Sequence, residues 1–405
     1  MLKYVKLPLL FLFLASLIGV FLRWQVINPT RGVNYSFFLH AHSHIMFLGW
    51  IFNALYIAYT MHHIPEKEQR PFKVLFLLLQ AFLIPMMVSF PLQGYGLFSI
   101  VFSTLHTVTA IAFVIIFFRK SKGVNTISTW YAKASLIFFL ISTAGPFSLG
   151  YLMSAGLGQG QWYYFSIYYY LHFQYNGFFL FGVFSLFFHL LERKQVLPDY
   201  KKAIRIGRWM ACSCVPAYLL SVLWAKPGLA FNFTAGVAAG VQVYALSLLI
   251  SFLKERVIRQ SMHAYSFPFL VIAFLSFALK LFLQLLSAHP DIAQFAFEYR
   301  PIVIAYIHLV LIAVISLPIL IWYLEMDFIN RSLGTKALTL FLISFCFAQL
   351  LLIAQPWWAK FQPGPFFNSS QLIFLFSLPL SFSCFFFYWA AVINKGGKKY
   401  VSPIR

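Results

Sequence analysis

Acidic residues are nearly missing from this chain. Nine Asp and Glu stand among 405 residues, and all charged types together make up 10%. A soluble globular protein carries about a quarter charged residues, so that class is excluded. Disorder needs low hydrophobicity and high charge; 61% hydrophobic content, with 50 Phe, 22 Tyr and 10 Trp, excludes it. Cysteine is also scarce. Cys212, Cys214, Cys346 and Cys384 all fall inside apolar runs, which reads as small core fillers rather than disulfides or metal ligands. The acids that exist (Glu66, Glu68, Glu192, Asp199, Glu255, Asp291, Glu298, Glu325, Asp327) lie in loops or at the ends of apolar runs. That placement weighs against a carboxylate-driven pump or antiporter, which needs a titratable stop inside the membrane.

What is present is apolar sequence in span-sized pieces. About 20 apolar residues cross a bilayer. Twelve such runs occur, near 7–22, 37–60, 74–90, 96–118, 134–153, 163–191, 209–224, 231–253, 264–287, 301–324, 337–355 and 369–393. Polar punctuation such as Asn28-Pro29-Thr30 and Arg119-Lys120-Ser121-Lys122 separates them. The expected fold is all-α: a polytopic membrane protein of about twelve transmembrane helices, forming one integral membrane domain over 1–405 with no soluble domain. The first run ends in Arg23-Trp24-Gln25 without a small-residue cleavage site, so it is read as a span rather than a signal peptide.

The net charge of +21 sorts by side. Across the termini and loops, 24 of the 30 Lys and Arg fall on the side of the N-terminus, five on the other, and Lys280 inside the ninth span. By the positive-inside rule both termini are cytoplasmic, as in a bacterial inner (plasma) membrane. The basic excess is thus a topology signal, and no nucleic-acid partner is needed to explain it. Membrane lipid is the expected surrounding.

Histidine carries the remaining signal. His62, His63, His189, His263 and His289 lie in loops or near span ends and read as interfacial or solvated. The other six, His40, His42, His44, His106, His172 and His308, belong to spans 2, 4, 6 and 10, which all start at the outer face. Counted inward at about 1.5 Å per residue, they fall in one layer of the outer half of the membrane. Polar groups there face a bundle interior or a site, and imidazoles without acids to pair look like ligands for heme iron, copper or zinc. His40 and His44 share a helix face while His42 points nearly opposite. His42, His172 and His308 each lie on the second helix of a four-helix block, so the spans read as three pseudo-repeated four-helix arcs.

These residues resemble the catalytic subunit of heme–copper oxidases and nitric-oxide reductases. His42-Ser43-His44-Ile45-Met46 is similar to the H-x-x-x-M of that family's helix 2, and Asn53-Ala54-Leu55 looks like the C-type oxidases. Tyr169-Tyr170-Leu171-His172-Phe173-Gln174-Tyr175-Asn176-Gly177 resembles the copper-ligand stretch of helix 6. Tyr306-Ile307-His308 keeps the second His of the helix 10 H-x-H, with Tyr306 at the high-spin position. The helix 7 His pair is replaced by Leu223-Trp224-Ala225-Lys226-Pro227. A second resemblance is to NnrS-type heme- and copper-associated membrane proteins of the nitric-oxide response.

The resemblance implies a b-type heme with His42 and His308 as axial ligands, His44 substituting for His42. It implies a second heme or a degenerate copper site at His172 with His40 or His106. Tyr306, Tyr175 and Gln174 would serve as nearby hydrogen-bonding groups, and Arg31, Arg300 and Lys280 would pair with the propionates. The expected function is electron transfer or oxygen- or nitric-oxide-related oxidoreductase chemistry, fed by a cytochrome or quinol donor. Two other readings stand beside it: a cofactor-free transporter or channel, and a membrane copper carrier that uses the His40–His44 cluster.

Overall fold

The computed structural model describes residues 1–158, 160–196, 199–252, 259, 262–361 and 369–394. Among them every regular element is helical. Eleven helical stretches are long and apolar enough to cross a membrane. The expected seventh span, 209–224, differs in kind. It consists of the end of a helix over Tyr200–Ala217 continued by two 3-10 turns, Tyr218–Ser221 and Leu223–Ala225. Lys201, Lys202, Arg205 and Arg208 occupy the first half of that helix, so its apolar part is short.

The chain forms two compact units, residues 1–124 with 323–405 and residues 125–322. The first contains α1 (Lys6–Ile27), α2 (Tyr35–His44), α3 (Asn53–His63), α4 (Arg70–Gln93) and α5 (Leu97–Lys120). The second contains α6 (Ile127–Ser142), α7 (Ala144–Ser154), α8 (Gln161–His172), α9 (Leu180–Arg193), α10 (Tyr200–Ala217), α11 (Leu229–Phe252), α12 (Phe267–Leu286), α13 (Pro290–Glu298) and α14 (Arg300–His308). The division falls within α15 (Leu317–Glu325), after which α16 (Arg331–Phe361) and α17 (Ser369–Val392) rejoin the first unit.

Local chemistry sets the helix starts. The Asn34 side chain accepts from the Ser36 amide at 3.1 Å and caps α2, Thr126 does the same for Thr129 at 3.1 Å in α6, and Asp199 for Lys202 at 3.1 Å in α10. Each satisfies an amide that the first turn leaves open. Proline opens α4, α12, α13 and α14, where its missing N–H costs nothing.

In the first unit α1 packs on α2 and α17, and α2 on α4. Phe11, Ala15, Ile45 and Leu83 form one buried cluster there. Gly49 is required at this crossing, because a Cβ on it would come within 2.8 Å of the Phe11 side chain. Hydrocarbon offers no water to buried amides, so side chains must pair. Asn53 and Gln80 do so reciprocally, at 3.0 and 3.1 Å. In the second unit α6 packs on α9, α7 on α8 and α10 on α11. Gly177 admits the Phe138 ring, which a Cβ would meet at 2.5 Å.

Three long helices share one interruption. The helix changes to π geometry over Ile45–Phe52, Phe173–Phe179 and Leu309–Ser316. In each case the residue just before is a histidine: His44, His172 or His308. A π segment carries one extra residue per turn and recurs at functional sites. Aligned on these onsets, His44 rather than His42 is the counterpart of His172 and His308.

The cysteines are all unpaired, but Cys212 and Cys346 are exposed rather than core. Of the histidines expected to be interfacial, His62, His63 and His189 are instead buried.

Candidate functional site

The histidines of the first unit divide over the two faces of α2. His42 turns toward α1, where its Nδ1 lies 2.8 Å from the Ala15 carbonyl oxygen. A carbonyl can only accept, so Nδ1 carries the proton and Nε2 keeps the lone pair. One turn along α1, Gly19 leaves room for the ring; a Cβ there would stand 3.1 Å from His42 Cε1. His40 and His44 take the opposite face, as the helical spacing predicts, and both meet Tyr95. The His40 ring centroid is 4.7 Å from that of Tyr95. His44 stacks on Phe90 at 4.3 Å, and its Nε2 is 3.4 Å from the Tyr95 hydroxyl. His106, on α5, is buried with its Nε2 lacking a hydrogen-bond partner, and its ring lies edge-on to Phe52 at 5.7 Å. His40 and His106 are both within electrostatic reach of His44. Among the described residues, however, no group of three His, Cys, Asp or Glu is gathered as a metal site.

The second unit holds His172 by both ring nitrogens. Its Nε2 donates to the Cys214 carbonyl at 2.8 Å, and its Nδ1 accepts from Asn176 Nδ2 at 3.1 Å. No lone pair is left for a metal. His172 as held here therefore does not fit a copper ion. Gln174 is likewise engaged, donating to Ser142 Oγ at 2.9 Å. Tyr175 and Tyr306 are within electrostatic reach of each other. Trp224 stacks on Phe297 at 4.6 Å. His308 ends α14 immediately before its π segment and is half-buried. The π segments that follow His172 and His308 pack on each other.

The three expected propionate partners behave differently. Arg31 precedes α2 and Arg300 opens α14, and both are exposed. Lys280 is instead 1% exposed and lies within electrostatic reach of His172 and Cys214. Its amine is directed into the unit, beside the Phe277 ring at 6.0 Å.

Ala15, Gly19, Asn176 and Cys214 were not legible as site residues. Asn176 had a weak signal, standing four residues after His172 and so on its helix face. Gly19, a small residue within the bulky run of α1, had another. Backbone acceptors leave none.

Searches against protein-family models and against curated proteins find no match for this chain. The chain is, by its apolar helices, compatible with a polytopic membrane protein of the all-helical class.

Proposed function

We propose that this chain is a heme-binding electron-transfer protein of the membrane, with twelve spans and cytoplasmic termini, akin to a heme–copper oxidase catalytic subunit without its copper. The observation that carries the reading is the His42 ring. Metal-ligating histidines donate their second nitrogen to a carbonyl or carboxylate, which fixes the tautomer and aims the lone pair. The Ala15 carbonyl supplies that contact at 2.8 Å, and Gly19 leaves the space in which the ring sits.

A bound heme would supply one-electron redox chemistry. The protein's own part is to hold and isolate. His42 would ligate through Nε2, while Ala15 restrains the ring against rotation and raises its basicity. His308 is the second ligand that the resemblance implies; it lies in the other unit, and the proposal rests on His42 alone. Arg31 and Arg300 are exposed cations suited to anionic carboxylates. Exclusion of water falls to the apolar packing of the helices, as burial is one of the levers on heme potential. Electron transfer, rather than oxygen or nitric-oxide reduction, is the chemistry we propose for the bound heme.

The test is a reduced pyridine-hemochrome spectrum and an iron and copper determination on one purified sample. Near-stoichiometric heme iron without copper is expected. Absence of heme would sink the proposal and favour a cofactor-free transporter or channel; copper without heme would favour the carrier reading.

A further inference from the structure

One face of α10 is charged at its start, apolar at its end and exposed throughout. Lys201, Arg205 and Arg208 are exposed, followed on the same face by Cys212 and Val215. At about 100° per residue these five positions fall within about 40° of one line, and the stripe is about 21 Å long. Trp209 flanks it, 43% exposed, and Val215 near its end is 54% exposed. The opposite face, with Ala203, Gly207, Met210 and Cys214, is buried.

That buried face holds the stripe in a fixed direction. The Tyr131 hydroxyl donates to the Ala203 carbonyl at 3.0 Å. A Cβ at Gly207 would meet the Trp130 ring at 2.4 Å, so α10 and α6 are in direct contact there. Asp199, the carboxylate nearest in sequence, precedes α10 and caps the Lys202 amide at 3.1 Å. No Asp or Glu lies within α10 itself, so Lys201, Arg205 and Arg208 form a cationic patch without a counter-charge on their own helix.

We propose that this stripe docks a phospholipid whose headgroup carries net negative charge. Lys201, Arg205 and Arg208 would neutralise the phosphate end, and Trp209 would sit at the headgroup level, where indole rings concentrate. Cys212 and Val215 would lie along the acyl chains. The order basic then apolar along one face, with an aromatic at its flank, matches a lipid standing upright in the leaflet next to the chain's basic side. A second copy of this chain, itself at +21, is repelled from such a patch. A nucleic acid or a free phosphate would leave its apolar half unused.

The test is native mass spectrometry of the detergent-purified protein with phosphatidylglycerol and phosphatidylcholine of identical acyl chains. The wild type should retain phosphatidylglycerol preferentially. Each basic residue near an anionic surface is worth about fivefold in binding, so Arg205→Gln should lower the preference about fivefold and Arg205→Lys should keep most of it. The triple variant Lys201→Gln, Arg205→Gln, Arg208→Gln should show none. A control that removes three charges elsewhere, Lys67→Gln, Arg70→Gln and Lys122→Gln, should retain it. No preference in the wild type overturns the proposal. So does a control that loses as much as the triple variant, or displacement of the lipid by equimolar inorganic phosphate. If the triple variant does not fold, the comparison of Arg205→Gln with Arg205→Lys decides.

Discussion

The Nδ1 of His42 and the carbonyl oxygen of Ala15 lie 2.8 Å apart, joining the second helix of the chain to the first by a side-chain to backbone contact. The contact selects one imidazole tautomer, and Gly19 beside it keeps the space the ring needs. Gly19→Leu should therefore push the ring off its acceptor. Overpacking of this kind costs about 1–3 kcal/mol, so the melting temperature in detergent should fall. Under the heme proposal the bound heme should also be lost or change spin state in the absorption spectrum. A destabilised variant with an unchanged heme spectrum would remove His42 from the ligand set.

His172 is predicted to be structural. Substitution by Phe breaks the bonds to the Cys214 carbonyl and Asn176 Nδ2 and leaves both groups unpaired, at a cost of about 1–3 kcal/mol for each buried group. The expected outcome is a lower melting temperature and, under the heme proposal, unaltered heme content and spectrum. Loss of heme with unchanged thermal stability would contradict it.

Asn53 and Gln80 exchange two hydrogen bonds between buried side chains. Asn53→Leu alone should cost more than the double replacement with Gln80→Leu, because the single change strands one amide in an apolar setting. Coupling energies between polar side chains in membrane proteins average about 0.6 kcal/mol and reach about 1.7 kcal/mol. A double-mutant cycle read by unfolding in detergent measures the value; additivity of the two single changes would refute the pairing.

Lys280 is buried without a hydrogen bond or ion pair among the described residues. Replacing an unpaired buried amine by an apolar chain of similar length removes a desolvation cost. Lys280→Met should thus raise the melting temperature and, under the heme proposal, leave heme content unchanged. A fall in heme content would return Lys280 to the role of propionate partner.

Much of the architecture was legible because the membrane imposes simple lengths. Eleven of the twelve apolar runs appear as helices long enough to cross. The seventh does not qualify, since Lys201 to Arg208 occupy the start of its helix and 3-10 turns complete it. Helical spacing correctly separated His42 from His40 and His44. It did not reveal that His62, His63 and His189 would be buried, because nearness to a span end says nothing about which neighbours cover a side chain. Nor did it foresee the occupation of His172 by a backbone carbonyl from a helix 42 residues away. Such contacts depend on packing between helices. The burial of Lys280 was not legible for a related reason: a long side chain within a span can turn either way, and its neighbours decide.

The three π segments have a consequence for how these helices present themselves. One additional residue turns everything downstream by about 100° relative to an uninterrupted α-helix. The face that α2 shows at His44 is therefore not the face that α3 continues beyond Phe52, and the same shift recurs after His172 and His308. Each of these helices therefore consists of two halves on one axis with a fixed rotational offset between them. Removing a single residue from a π segment would leave an ordinary helix of nearly the same length, but with its far half re-aimed by a quarter of a revolution or more. A one-residue deletion there should consequently be more damaging than the loss of the side chain it removes.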